Sequence, residues 1–191
     1  MLSQEEAIGI FTRSGALMEG HFKLTSGRHS NRYMQCAQVL QYPQYTEQLA
    51  AHIAERYLGE KIDTVIGPAM GGIIVAYEVA RQLKVPGIFC ERENGRMVLR
   101  RGFIIKPGSR VLVVEDVVTT GGSVMEVMDI VKEAGGQVAG VAVLVDRSAG
   151  KVDFGVRREA VLTMDIESWP PEDCPLCKEG RGEAIKPGSR S

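Results

Sequence analysis

The chain has 191 residues, of which 44% are hydrophobic and 25% are charged, as is usual for soluble globular proteins. Its 23 basic and 24 acidic residues leave a formal net charge of -1, which argues against nucleic acid or an anionic membrane as a main partner. No apolar stretch reaches the roughly 20 residues that span a bilayer, because the best candidate, residues 64–77, is interrupted by glycines and a proline. The length and composition predict one domain over residues 1–191.

The N-terminal residues and the cysteines both favour a cytoplasmic location. Glu5 and Glu6 stand near the N-terminus, without the basic segment and following apolar run of a secretory signal. Four cysteines in a chain of this length are too few for a disulfide framework, which favours a reducing compartment. We therefore expect a cytoplasmic protein.

The first part of the chain is predicted to be a helix followed by irregular structure. Ser3 and Glu6 have the spacing of a helix capping box, and a helix that begins there is expected to end at Gly15. Residues 16–40 are polar and rich in turn-forming residues, which predicts short strands and loops.

From residue 43 onward, patterns typical of helices and strands alternate. Helices are predicted where apolar residues recur every three or four positions, over residues 43–57, 73–83 and 123–134. Strands are predicted in the short apolar runs, over residues 63–67, 86–91, 110–115 and 138–145. This alternation predicts an α/β fold, a mostly parallel sheet flanked by helices. Residues 168–191, which we call the tail, are rich in glycine, proline and charge and are predicted to be irregular.

The most informative segment is Glu-Asp-Val-Val-Thr-Thr-Gly-Gly-Ser over residues 115–123, which joins a predicted strand to a predicted helix. Glycines allow a ligand to approach the backbone closely, and the N–H groups at a helix start, with nearby hydroxyls, can bind phosphate. The carboxylates of Glu115 and Asp116 suit ribose hydroxyls but repel phosphate. Open parallel sheets bind ligands beyond the carboxyl ends of their strands. The segment therefore predicts a ribose-phosphate site, and a surface loop with a solvated acidic pair is the alternative.

Three segments carry a resemblance to a known family. Residues 115–123 resemble the signature with which type I phosphoribosyltransferases bind 5-phosphoribosyl 1-diphosphate (PRPP). Residues 22–30, Phe-Lys-Leu-Thr-Ser-Gly-Arg-His-Ser, resemble the segment that orotate phosphoribosyltransferases place over the base. Residues 67–72, Gly-Pro-Ala-Met-Gly-Gly, resemble the pyrophosphate-binding loop of the family. The resemblance extends over residues 16–147.

This resemblance implies a type I phosphoribosyltransferase fold in which residues 1–40 form an N-terminal hood. It implies an enzyme that transfers the phosphoribosyl group of PRPP to orotate, giving orotidine 5′-phosphate and diphosphate in pyrimidine (UMP) biosynthesis. Mg²⁺ is the expected cofactor, held mainly by PRPP, and the resemblance identifies no protein side chain as its ligand. A homodimer is expected, because the mobile loop of this family reaches the site of the neighbouring subunit.

The resemblance also implies a role for each matched residue. Glu115 and Asp116 would hold the ribose hydroxyls, and Asp116 would act in catalysis. Thr119 and Arg147 match positions that contact orotate, whose carboxylate a guanidinium can bind through two hydrogen bonds. A salt bridge from Arg147 to Asp146 or Glu115 is the alternative. The residues expected to bind PRPP are Glu115, Asp116, Val117, Val118, Thr119, Thr120, Gly121, Gly122 and Ser123.

Residues 91–102, which we call the arginine loop, depart from the family pattern of a loop with lysines and a histidine. This loop has four arginines and neither of those residue types. Because the reaction needs positive charge opposite the leaving diphosphate, Arg92 and Arg96 are the expected catalytic residues. Asn94-Gly95 is a strong turn pair and predicts a β-hairpin, so a solvated hairpin without a ligand is the alternative.

Cys174 and Cys177 in the tail have the C-x-x-C spacing of half a zinc site. A complete site needs two more ligands, and Cys36, Cys90 and the three histidines are scattered along the sequence. A redox-active pair is a second possibility, although a thioredoxin-like setting is absent. The sequence leaves metal binding, redox activity and ordinary thiols open.

Two other functions compete with the transfer of phosphoribose to orotate. A purine phosphoribosyltransferase would share the PRPP signature, but residues 22–30 disfavour it. A regulator that binds PRPP and nucleic acid would need a basic helical module, which neither the net charge nor the N-terminus supplies.

Overall fold

The structure is a computed structural model that describes residues 1–24 and 26–187. Thr25 in the predicted hood and residues 188–191 of the tail lie outside the described residues. Within this part of the chain, every helix is too short or too polar to cross a membrane.

The hood consists of a helix, a hairpin and one turn of helix. Its elements are α1 (Gln4–Arg13), β1 (Leu17–Lys23), β2 (His29–Met34) and α2 (Ala37–Leu40). The predicted capping box is confirmed, since the hydroxyl of Ser3 accepts a hydrogen bond from the N–H of Glu6, whose carboxylate accepts one from the N–H of Ser3. Strands β1 and β2 pair antiparallel and form what we call the hood hairpin. The helical turn α2 was not predicted.

The rest of the chain is built on a mostly parallel sheet. Its strands are β3 (Thr64–Pro68), β4 (Gly87–Glu93), β5 (Arg96–Leu99), β6 (Arg110–Val118), β7 (Gln137–Asp146) and β8 (Arg158–Thr163). Over the described residues they lie in the order β5-β4-β3-β6-β7-β8, and each neighbouring pair is parallel except β4 and β5. Strand β8 was not predicted from the sequence, because only three consecutive residues in it are apolar.

Helices pack on both faces of this sheet, as the sequence predicted. They are α3 (Pro43–Arg56), α4 (Gly71–Leu83) and α5 (Gly122–Glu133). Side chains alternate along β6, so that Leu112 and Val114 join the core formed with α1, α3 and α4. Val111 and Val113 point the other way, into the core formed with α5. The predicted α/β class, with a mostly parallel sheet, is confirmed.

The described part of the tail packs against the hood hairpin. It contains a 3-10 turn (Pro171–Asp173) and α6 (Pro175–Lys178). Isolated β-bridges join Phe22 to Ile185 and His29 to Trp169. The sequence predicted an irregular tail but not this contact between the two ends of the chain.

Replacing Leu112 by alanine should lower the free energy of unfolding by about 2–5 kcal/mol, because a fully buried side chain leaves a cavity. Leu58→Ala is the matched control, since Leu58 is 72% exposed and its replacement should cost less than about 0.5 kcal/mol. Urea unfolding followed by circular dichroism measures both values. Equal losses would contradict the position of Leu112 in the core.

Candidate active site

Glu115 and Asp116, which we call the acidic pair, lie within β6 and not at its end. The sequence predicted that this strand stops at residue 115, but its ladder with β7 continues to Val118. The prediction failed because two charged residues resemble the start of a loop. A hydrogen bond of 3.0 Å runs from the N–H of Asp116 to Oε1 of Glu115, and one of 2.8 Å runs from the N–H of Val117 to Oδ1 of Asp116. Both carboxylates are therefore held against the backbone of their own strand.

Burial makes the two carboxyls of the acidic pair harder to ionise than usual. Burial raises the pKa of Glu115 strongly, and the neighbouring charge of Asp116 raises it further. Burial also raises the pKa of Asp116. Two adjacent buried carboxyls cannot both ionise readily, so hydroxyl donors or a nearby cation would stabilise their charged form. The pair is thus suited to a ribose that brings such groups.

Residues 67–72, which we call the glycine loop, lie directly against the acidic pair. A Cβ on Gly71 would overlap the carboxylate of Asp116, and one on Gly72 would come within 3.2 Å of Oε1 of Glu115. Glycine is therefore required at Gly71 by close packing and not by an unusual backbone angle. This contact brings the predicted pyrophosphate-binding loop and the predicted ribose-binding residues into one site.

The segment between β6 and α5 forms an open cavity of about 180 Å³. The cavity is lined by Glu115 and by each residue from Val117 to Val124. Gly121 immediately precedes α5 and has a φ of 79°, and a Cβ there would lie 2.8 Å from Val152 and 2.9 Å from Phe154. No described side chain caps the start of α5, so its first N–H groups can bind an anion. The arrangement agrees with the phosphate site that the sequence predicted.

Arg147 directly follows β7, and its N–H donates a hydrogen bond of 2.8 Å to the carbonyl of Val118. Its Nε is buried and has no hydrogen-bond partner among the described residues. Burial lowers the pKa of Arg147, so its charged form would gain from an anionic partner. The nearby Tyr33 and Cys36 of the hood act electrostatically in the opposite direction and raise the pKa of Arg147. The guanidinium therefore lies beside the hood.

Asp146 is paired with groups other than Arg147. It is fully buried, and its Oδ1 accepts hydrogen bonds from the N–H and the hydroxyl of Ser148. Its Oδ2 lies 3.0 Å from Nη1 of Arg158, an ion pair without hydrogen-bond alignment. Among the described residues, Arg147 forms no salt bridge with Asp146 or Glu115, the alternative that the sequence left open. The ion pair with Arg158 was not predicted, because β8, which begins at Arg158, was not predicted.

The hood also contacts the acidic pair directly. The thiol of Cys36 donates a weak hydrogen bond of 3.6 Å to the carbonyl of Asp116. Burial, together with the charge of Asp116, raises the pKa of this thiol well above its usual range, so Cys36 stays uncharged. Cys36 therefore acts as a packing residue between the hood and β6.

The arginine loop is a hairpin, as predicted, with Asn94 and Gly95 at positive φ in the turn between β4 and β5. Arg92 donates hydrogen bonds of 2.8 Å to Glu126 of α5 and to the carbonyl of Gly95. Arg96 is exposed at the start of β5. Over the described residues, no salt bridge links either arginine to the acidic pair. Their catalytic role stays a prediction.

Comparison with known proteins gives the same assignment as the motifs. Residues 37–154 match the model of the phosphoribosyl transferase domain family. An orotate phosphoribosyltransferase from Pelotomaculum thermopropionicum is 64% identical over 99% of this chain and 99% of its own, and one from Heliobacterium modesticaldum is 63% identical over 100% of both. A crystal structure of orotate phosphoribosyltransferase from Aeropyrum pernix superposes with a TM-score of 0.64 at 30% identity, covering 82% of this chain and 93% of that one. The chain therefore belongs to the orotate phosphoribosyltransferase family and has the type I phosphoribosyltransferase fold.

Proposed function

We propose that the chain transfers the 5-phosphoribosyl group from PRPP to orotate, forming orotidine 5′-phosphate and diphosphate in pyrimidine biosynthesis. The observation that carries the choice of base is the buried Nε of Arg147, which has no partner among the described residues. A base with a carboxylate supplies that partner, whereas uracil and the purines do not. The names of the curated relatives, 63% and 64% identical, support the same base.

PRPP would bind along the edge formed by the ends of β3 and β6. Its 5-phosphate would occupy the cavity lined by residues 117–124, where the start of α5 offers N–H groups. Its ribose hydroxyls would donate hydrogen bonds to the acidic pair, and its diphosphate would lie along the glycine loop. The phosphate, ribose and diphosphate of PRPP would thus each contact a different segment of the chain, and the fold brings these three segments together.

The protein accelerates the reaction mainly by positioning and by electrostatics. Arg147 and Thr119 would fix orotate so that its N1 faces the anomeric carbon of PRPP. The bond from that carbon to diphosphate breaks as the bond to N1 forms, and the acidic pair stabilises the positive charge that develops on the ribose ring. Arg92 and Arg96 would stabilise the negative charge on the departing diphosphate when the arginine loop closes and excludes water.

Mg²⁺ fits this site as a cofactor that arrives with PRPP. It prefers oxygen ligands, and the raised pKa values of Glu115 and Asp116 indicate that a nearby cation would favour their ionised form. These two residues would hold the ion together with the oxygens of PRPP, which supply most of its ligands. When bound, it neutralises part of the charge on the leaving diphosphate.

We also propose that the enzyme is a homodimer in the cytoplasm. Met70, Ile74 and Tyr77 lie on one face of α4 and its preceding loop, with 83%, 44% and 69% of their surfaces exposed. An exposed apolar stripe of this kind is typical of an interface, and a second copy of the chain is the partner that family resemblance implies. Because the stripe begins in the glycine loop, the dimer would form next to the active site.

Replacing Arg147 by glutamine should raise KM for orotate about 10- to 100-fold, because a hydrogen-bonded charge pair is lost. KM for PRPP should change little, since Arg147 is not expected to contact PRPP. Arg13→Gln on the exposed side of α1 is the matched control and should leave both constants unchanged. Steady-state kinetics with each substrate varied in turn would make the distinction. An unchanged KM for orotate would exclude this role for Arg147.

Replacing Asp116 by asparagine should lower kcat about 100-fold, since the side chain keeps its shape but loses the charge that faces the ribose. Asp129→Asn is the matched control, because Asp129 is an exposed carboxylate on α5. Circular dichroism would show that both variants keep the native fold. If Asp116→Asn turns over like the control, the acidic pair does not act on the ribose.

A further inference from the structure

The contact between the tail and the hood hairpin brings four metal-binding side chains together. His21 lies in β1 and His29 in β2, whereas Cys174 and Cys177 stand at the start and within α6. One ligand atom from each of the four lies within 4.8 Å of the other three. The sequence offered only the cysteine pair, because more than 140 positions separate it from either histidine.

Four of the six distances among these atoms are close to those of a tetrahedral site. Nε2 of His21 lies 3.5 Å from Sγ of Cys174 and 3.6 Å from Sγ of Cys177, and Nδ1 of His29 lies 3.3 Å from Sγ of Cys177. A zinc ion with usual bond lengths separates nitrogen and sulfur ligands by about 3.6 Å. Nε2 of His21 and Nδ1 of His29 are 3.0 Å apart, whereas two nitrogen ligands of a tetrahedral zinc ion are separated by about 3.4 Å.

The second ring nitrogen of His21 is placed as in known metal sites. Its Nδ1 lies 2.8 Å from the carbonyl of Gly182 and donates a hydrogen bond to it, because a carbonyl can only accept. This bond fixes the tautomer and leaves the lone pair of Nε2 directed at the cluster. Metal-binding histidines usually donate their other N–H to a carbonyl or carboxylate in this way.

We propose that His21, His29, Cys174 and Cys177 bind one Zn²⁺ ion in a structural site. Two thiolates and two imidazoles in tetrahedral positions are a ligand set typical of zinc. All four positions come from the protein, so no position stays open for a substrate, and each thiol loses its proton when the metal binds. Both cysteines are free thiols in the structure.

The zinc ion would fasten the tail to the hood hairpin. A two-stranded hairpin is marginally stable by itself, and backbone hydrogen bonds of 2.8 Å from Lys23 and His29 are among the described links that already join it to the tail. The ion would bind both strands of the hairpin and the two ends of a short tail segment at one point.

Zinc content tests the site directly and does not depend on the proposed activity. The chain is produced without a histidine tag in zinc-supplemented medium, reduced, freed of loose metal by gel filtration and analysed by elemental mass spectrometry. We expect about one zinc per chain in the wild type and almost none in Cys177→Ser. Cys90→Ala is the matched control, because it removes one thiol outside the proposed site and should keep about one zinc per chain. Full zinc content in Cys177→Ser would overturn the proposal.

Cobalt substitution keeps the test decisive if Cys177→Ser does not fold. Co²⁺ added to the reduced, metal-free wild type should give the intense visible bands of a tetrahedral thiolate site, and Zn²⁺ should abolish them. Removing zinc with a chelator should lower Tm by about 10 °C, and adding Zn²⁺ should restore the original Tm. A wild type that binds neither metal, or whose Cys174 and Cys177 stay in a disulfide after reduction, would overturn the proposal.

Discussion

The close packing of the glycine loop on the acidic pair determines where every other part of the site can lie. A side chain at position 71 would overlap the carboxylate of Asp116, so Gly71 lets the loop after β3 pack directly on the neighbouring parallel strand β6. The loop packs on one side of the acidic pair, and burial raises the pKa of both Glu115 and Asp116. A ligand that brings hydroxyl donors and a cation would stabilise the ionised carboxylates. The acidic pair would in this way distinguish PRPP from a simple phosphate.

The choice of base, as proposed, would depend on a second part of the molecule. The end of β7 supplies Arg147, while the hood supplies Tyr33 and Cys36 beside it. The hood hairpin is in turn held by the tail, where backbone bridges reach His29 from Trp169. In the proposed function, binding of PRPP would thus be built into the sheet, whereas recognition of the base would depend on a small hairpin that contacts the far end of the chain.

The sequence predicted the elements from β3 to β7 because their apolar spacing is regular and tertiary structure did not override it. It predicted the ribose-phosphate site because one contiguous segment carries glycines, hydroxyls and carboxylates in order. It did not predict the extension of β6 beyond Glu115, since buried charges resemble a loop, or β8, which has few apolar residues. The contact of His21 with Cys174 was also missed, because it joins residues 153 positions apart and no local pattern records such a distance.

The most direct test is to measure which base is converted to a nucleotide in the presence of PRPP. The purified chain is mixed with Mg²⁺, PRPP and orotate, and the ultraviolet absorbance of orotate is followed. The account predicts a fall in absorbance that requires all three components, with no nucleotide formed when uracil or adenine replaces orotate. Nucleotide formation from uracil or adenine, with orotate left unchanged, would contradict the role of the buried guanidinium as a carboxylate receptor.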